Sequence, residues 1–225
     1  MAAHAPGWFG KIASLGDFAS RRLPDEWVHA VDAWLSQGMH RSREALGEGW
    51  LPAYLGAPVW RFAWGPQVVD GHWWFGVLMP SCDKVGRYFP LVVAQARSAP
   101  PDDRIGLDHL DLWWTHLARA VLGTLEESST IDAFEAALHD LPPWPGARGA
   151  APQGVAGSAL GERYAFPAGA TLTEVAHALA STCLQQRLAG HGFWWPWRID
   201  DESGPCLVTP RLPAPEAFVH LLDGG

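Results

Sequence analysis

The 225-residue sequence holds only three cysteines, Cys82, Cys183 and Cys206, widely spaced and with no Cys-x-x-Cys pair. A disulfide framework is thereby excluded, and reduced thiols in a cytoplasmic protein are expected. Positive charge is also short: 16 Lys+Arg stand against 24 Asp+Glu, a formal net charge of −8. The longest basic run is Arg21-Arg22, too little to neutralise a line of phosphates, so no nucleic-acid partner is expected. Long apolar runs are missing, because Pro, Gly or a charge interrupts each one, and an integral membrane segment is not expected. Residues 1–7 lack the charged-then-apolar pattern of an export signal. No repeat of 20–50 residues is visible, which excludes a solenoid.

What the chain has instead is apolar mass. Hydrophobic residues make up 48% of it and charged ones 18%, against roughly 25% charged in typical soluble domains, so a large core can form and general disorder is excluded. The sequence includes 14 Trp. Trp8 to Ser14 reads as a buried strand ending in a Gly16-Asp17 turn. Pro24 suits the first position of a helix, and Trp27, Val31, Trp34, Leu35 and Met39 form its apolar stripe. A turn-rich bridge with Gly47, Gly49, Pro52, Gly56 and Pro58 leads to three apolar runs, Val59 to Trp64, His72 to Met79 and Tyr88 to Ala96. Their connectors are too short for a crossover helix, which requires antiparallel pairing.

Asp108 reads as the N-cap of a second helix, whose apolar face includes Leu110, Trp113, Trp114, Leu117 and Val121. A shorter helix follows from Ile131 to Leu141, and residues 142–161, rich in Pro, Gly and Ala, read as a mobile loop. Thr171-x-x-Glu174 is a capping box opening a helix with Leu172, Val175, Leu179, Cys183 and Leu188 on its stripe. Gly192 to Ile199 and Pro205 to Thr209 flank a turn at Asp200 to Gly204, and Pro213 to Leu222 closes as a short helix. This order predicts an α+β fold, a layered domain over residues 1–225 with a mixed, largely antiparallel sheet packed by helices. Trp27, Trp34, Trp113, Trp114, Trp8, Trp60, Trp64, Trp73 and Trp74 are expected in its core. Of the neighbours Trp194 and Trp195, one must leave the main core and be covered by a helix or a partner, because successive strand residues face opposite sides.

Catalytic motifs are weak. Gly7-x-x-Gly10-Lys11 has the wrong spacing for a phosphate loop, and Ile12 follows where a Ser or Thr would hold Mg²⁺. His109 and His116 lie seven apart on one predicted helix without a third ligand at a suggestive spacing, and no Gly-x-Ser-x-Gly elbow exists. Neither a metal nor a cofactor nor an enzymatic activity is expected. The chemistry is concentrated between two apolar strands, in Pro80-Ser81-Cys82-Asp83-Lys84-Val85-Gly86-Arg87-Tyr88-Phe89-Pro90. Arg87 there could hold a phosphate or a partner carboxylate, or pair inside the protein with a carboxylate such as Asp17.

Pro-Ser-x-Asp-x-Val-Gly-Arg-x-Phe-Pro-Leu over Pro80 to Leu91 resembles the signature of the TagF/ImpM family of type VI secretion accessory proteins. Gly7 to Ile12, Leu15-Gly16-Asp17-Phe18, Arg21-Arg22-Leu23-Pro24, Asp32-x-Trp34-Leu35 and Pro58-x-Trp60-x-Phe62 agree in order, placing the signature within residues 1–100. Trp194-Trp195 and Leu212-Pro213 resemble the family's C-terminal pattern, with Arg211 where a glycine is usual. The resemblance implies a cytoplasmic negative regulator that restrains secretion assembly or firing after translation by binding a forkhead-associated-domain scaffold, linked to or parallel with threonine phosphorylation. The partner-binding candidates are Lys11, Asp17, Arg21, Arg22, Ser81, Asp83, Lys84, Arg87, Trp194 and Trp195. The competing expectation is a small-ligand or anion site, or an enzyme, between the 10–17 and 81–87 loops.

Overall fold

The computed structural model describes residues 5–101, 103–144, 153–158, 161–165, 168–197 and 205–224. Strand β1 (Gly7–Gly10) stops well short of Ser14. Gly10 has φ +132°, and a Cβ there would meet the Pro90 carbonyl oxygen at 2.1 Å, so the chain turns where only glycine fits. Next come β2 (Ala19–Arg21) and α1 (Asp25–Leu46), with Pro24 at the N-cap rather than inside the helix. The expected bridge contains a 3₁₀ turn (Gly47–Gly49) and a further helix, α2 (Trp50–Gly56). Pro52 lies in the first turn of α2, where a missing N–H costs no helical hydrogen bond.

Strands β3 (Val59–Trp64), β4 (Trp73–Met79) and β5 (Leu91–Arg97) form the expected meander. Helix α3 spans Arg104–Gly123, starting before Asp108 because Asp103 is the cap: its side chain accepts the Gly106 N–H at 2.6 Å. There follow α4 (Ile131–His139), the hairpin β6 (Gln153–Ser158) and β7 (Gly161–Ala165), α5 (Leu172–Leu188), β8 (His191–Trp197) and β9 (Leu207–Pro210). A 3₁₀ turn (Pro215–Phe218) leads into α6 (Val219–Asp223). Part of the loop expected over 142–161 is thus the β6–β7 pair; its residues 145–152 and 159–160, and the Asp200 to Gly204 turn, lie outside the described residues.

The seven-stranded sheet has the order β2-β1-β5-β4-β3-β8-β9, with every strand pair antiparallel. Helices pack on both faces, so side chains alternate between two apolar layers. Phe9, Trp60, Phe62, Trp64, Trp74 and Trp194 pack under α1, α2 and α6. Trp8, Trp73, Phe75, Val77 and Val93 pack under α3 and α4. The nine tryptophans expected in the core are all buried, and Trp50 of α2 joins them. Indole N–H groups fasten the C-terminal segment: Trp34 donates to the Pro213 carbonyl at 2.9 Å and Trp60 to that of Leu221 at 2.7 Å.

Helix α5 departs from expectation. Its capping box forms, with Thr171 and Glu174 bonded reciprocally. Of its expected stripe only Leu188 is buried; Leu172 is 83% exposed and Cys183 is exposed. The residues it turns toward the sheet are instead His177, Ala180, Ser181, Leu184, Gln185 and Leu188.

Candidate functional site

The signature segment between β4 and β5 folds as a tight loop closed by a Cys82–Tyr88 bridge. Asp83 organises it: Oδ1 accepts the Val85 and Arg87 N–H groups at 3.1 and 2.9 Å, and its carbonyl accepts the Gly86 N–H at 2.9 Å. Gly86 has φ +80°, the left-handed region that favours glycine. The Asp-x-Val-Gly-Arg spacing is therefore first of all a turn recipe.

The other oxygen of Asp83 serves the ion pairs. Oδ2 accepts Lys11 Nζ at 2.8 Å and Arg87 Nε at 2.6 Å. The Lys11 and Asp83 side chains are 5% and 0% exposed, an ion pair taken out of water. Burial works against the charged carboxylate, but the bonds from Lys11, Arg87 and the loop N–H groups outweigh it and hold Asp83 well below the usual carboxylate range. Lys11 Nζ also sits 4.8 Å from the centre of the Phe18 ring.

Further bonds tie this loop to residues 11–17. Arg87 Nη2 donates to the Gly16 carbonyl at 2.7 Å and lies 3.7 Å from Asp17 Oδ1; the Lys84 N–H donates to the Leu15 carbonyl at 2.8 Å. Ser81 Oγ donates to the Lys11 carbonyl at 2.8 Å. From α2, the Tyr54 hydroxyl donates to the Ser81 carbonyl and accepts the Ser81 N–H, at 2.8 and 2.9 Å. Burial pushes the Tyr54 phenol far above its ordinary pKa, so it stays a neutral donor. The two loops are one cross-tied unit.

Six of the expected residues, Lys11, Asp17, Ser81, Asp83, Lys84 and Arg87, meet in this unit. Lys11, Ser81 and Asp83 are interior struts. Asp17, Lys84 and the outer side of Arg87 face solvent, together with Phe18 at 47% and Val85 at 70% exposure. Phe18 and Val85 are additions to the expected residues. An apolar side chain between Lys84 and the turn glycine Gly86 is the sequence signal that points to Val85. Of the cations in this unit, Lys11 and Arg87 are both engaged by Asp83, while Lys84 faces solvent.

Arg21 and Arg22 belong to a second cluster. Arg22 Nη1 donates to Glu135 Oε2 at 2.6 Å and its Nε to the Pro6 carbonyl at 3.0 Å, while Arg21 Nη1 lies 3.6 Å from Oε1. Trp8 Nε1 donates to the same Oε1 at 2.6 Å, so Glu135 fastens β1 and β2 to α4. Trp194 is fully buried, with Nε1 donating to Thr209 Oγ1 at 3.0 Å. Trp195 is the one that leaves the core; it is 38% exposed, on the α3 side, with the Arg61 guanidinium 4.4 Å above its ring. Among the described residues, no three His, Cys, Asp or Glu side chains converge as a metal site, and no helix is long and apolar enough to cross a membrane.

A family profile described as TagF N-terminal domain, type VI secretion system-associated, matches residues 7–141. Among solved structures, the crystal structure of PA0076 from Pseudomonas aeruginosa PAO1 superposes with a TM-score of 0.78 at 37% identity, covering 98% of this chain and 95% of that one. No curated protein matches the chain.

Proposed function

Because the chain belongs to the TagF N-terminal domain family, which is type VI secretion system-associated, we propose that it is a non-catalytic accessory protein of the cytoplasm. On this reading it restrains type VI secretion after translation by binding a forkhead-associated-domain scaffold, and the outer surface of the two tied loops is where it docks. The observation that carries the site is the division of labour within the signature. Lys11, Ser81 and Asp83 are spent on holding the loops together, which leaves Asp17, Phe18, Lys84, Val85 and Arg87 displayed on a preformed surface. Such a surface mixes an apolar centre with charges that set partner choice and association rate. It needs little ordering on binding, which lowers the entropic cost of association.

Two substitutions outside the ion-pair network test this. Val85→Asp and Lys84→Glu each place a negative charge on the surface without touching Asp83. Each is expected to weaken capture of the purified scaffold by about tenfold or more while leaving the melting temperature unchanged. Undiminished capture by both variants would defeat the proposed interface. Arg87→Ala serves as the contrast: it removes one tie to Asp83 and should lower the melting temperature as well as capture.

A further inference from the structure

On the sheet face away from the tryptophan layer under α1, helices α3 and α5 flank an open space. Between them, over β3, β4 and β8, lies a cleft of about 400 Å³, within the roughly 300–1,000 Å³ range of sites that enclose small organic ligands. Its walls are aromatic, with Trp73, Phe75, Trp114, Phe193 and Trp195 all contributing surface. The α5 wall carries Ala180 and Ser181, where larger side chains would enter the space, beside His177, Leu184, Gln185 and Leu188. The helix is held at its C-terminal end, where Leu188 is its one buried residue and the Gly190 N–H donates to the Pro66 carbonyl at 2.7 Å. Among the described residues, no side chain fills the volume above this aromatic floor.

The polar groups narrow the class of occupant. Among the described residues no Lys or Arg lines the cleft; its one carboxylate is Asp111 of α3, and His177, Ser181 and Gln185 of α5 are its other polar side chains. Arg61, buried beneath, donates to Asp111 Oδ1 at 2.8 Å and braces against Trp195, which fixes the carboxylate and leaves Oδ2 to accept a hydrogen bond. Aromatic lining beside a fixed acceptor suits an aromatic compound bearing an N–H donor, neutral or singly cationic. The same cleft disfavours phosphates, sulfonates and carboxylates, which would meet Asp111 with no Lys or Arg among the described lining residues to offset it.

We propose that the α3–α5 cleft is a binding site for a small aromatic amine, separate from the loop surface assigned to the scaffold. The test uses the intact chain and two dyes built on the same pair of ring systems, neutral N-phenyl-1-naphthylamine and its sulfonated analogue 8-anilinonaphthalene-1-sulfonate. Excitation of tryptophan should give saturable, one-to-one sensitised emission from the neutral dye, with the sulfonated dye binding about tenfold or more weakly. Ala180→Trp, at an exposed helical position, fills the cleft and should abolish the saturable signal; Ser181→Phe does the same from the next position if the first variant fails to fold. No saturable signal from the unsubstituted chain, equal binding of the two dyes, or unchanged binding by a folded cleft-filling variant would each overturn the proposal. Loss of scaffold capture by Ala180→Trp with dye binding intact would likewise overturn it and assign the cleft to a protein partner.

Discussion

The two faces of the sheet are built from the same kinds of strand and end in opposite conditions. Under α1 the tryptophans interlock: Trp64 stacks on Phe62 with ring centres 4.0 Å apart and contacts Trp27, Trp34 and Trp194 within 6.0 Å. Phe218 closes that layer against Gly38, where a Cβ would lie 2.4 Å from the ring. Across the sheet, α3 and α4 seal the β1, β4 and β5 end, but α5 buries one residue and leaves the β8 end open. Aromatic richness alone therefore does not make a closed core; how much of the covering helix is buried against the rings decides whether they seal a space or line it.

The largest effect should come from opening the sealed face. Trp64→Ala removes a fully buried indole and is expected to cost about 3–5 kcal/mol in urea denaturation, a large part of a typical domain's stability. Gly38→Ala sharpens the point, since helix propensity favours alanine by roughly 1 kcal/mol while overpacking against Phe218 costs about 1–3 kcal/mol. A net loss of stability is expected. At Gly123, in the last turn of α3, the space a methyl group would take has no neighbour within 4 Å, so Gly123→Ala should stabilise by a few tenths of a kcal/mol up to about 1 kcal/mol. Leu184→Ala, on the open face at 54% exposure, should change stability by less than about 0.5 kcal/mol.

Acid sets a further contrast, because a carboxylate fastens the α4 side. Burial alone would raise the pKa of Glu135, but hydrogen bonds from Arg22 and Trp8 outweigh it and lower the value below its ordinary 4.5. A depressed folded-state value means the contribution is fully present above the unfolded value and disappears as pH falls through the folded one. Glu135→Gln should therefore be destabilising at pH 7, and the gap from the unsubstituted chain should shrink as pH is lowered below about 4.5 in denaturation curves. A gap that stays constant down to acid pH would show that the Glu135 charge contributes nothing to the fold.

Legibility in the sequence followed the range of the interactions. Helix α1 was readable because Trp27, Val31, Trp34, Leu35 and Met39 all fall on the face that the sheet covers. The β3–β5 meander was readable from connectors too short for anything else. Helix α2 was hidden by Gly47, Gly49 and Pro52, residues that punctuate loops yet are tolerated at helix starts. Strand β2 is three residues long, two of them polar, at the sheet's edge. For α5 the capping box marks the start correctly, but periodicity names the wrong face, since no local pattern says which side of a helix meets a distant sheet. The signature loops were recognisable as a unit; that Lys11 and Asp83 are consumed inside it depends on a contact 72 residues apart in sequence. The branching of Arg21 and Arg22 to Glu135 depends on a still longer one.

The pairing of β3 with β8 bears on how the protein is made. Residues matched by the family profile end at 141, yet Val59 to Trp64 finds its second neighbour only in residues 192–197, and Trp60 finds its indole partner at Leu221. During synthesis the centre of the sheet emerges from the ribosome long before the strand that covers its edge. Until then the nascent chain presents an apolar, unpaired strand, the kind of edge that recruits other chains. A segment translated late is thus the one that converts an aggregation-prone half-sheet into a finished one.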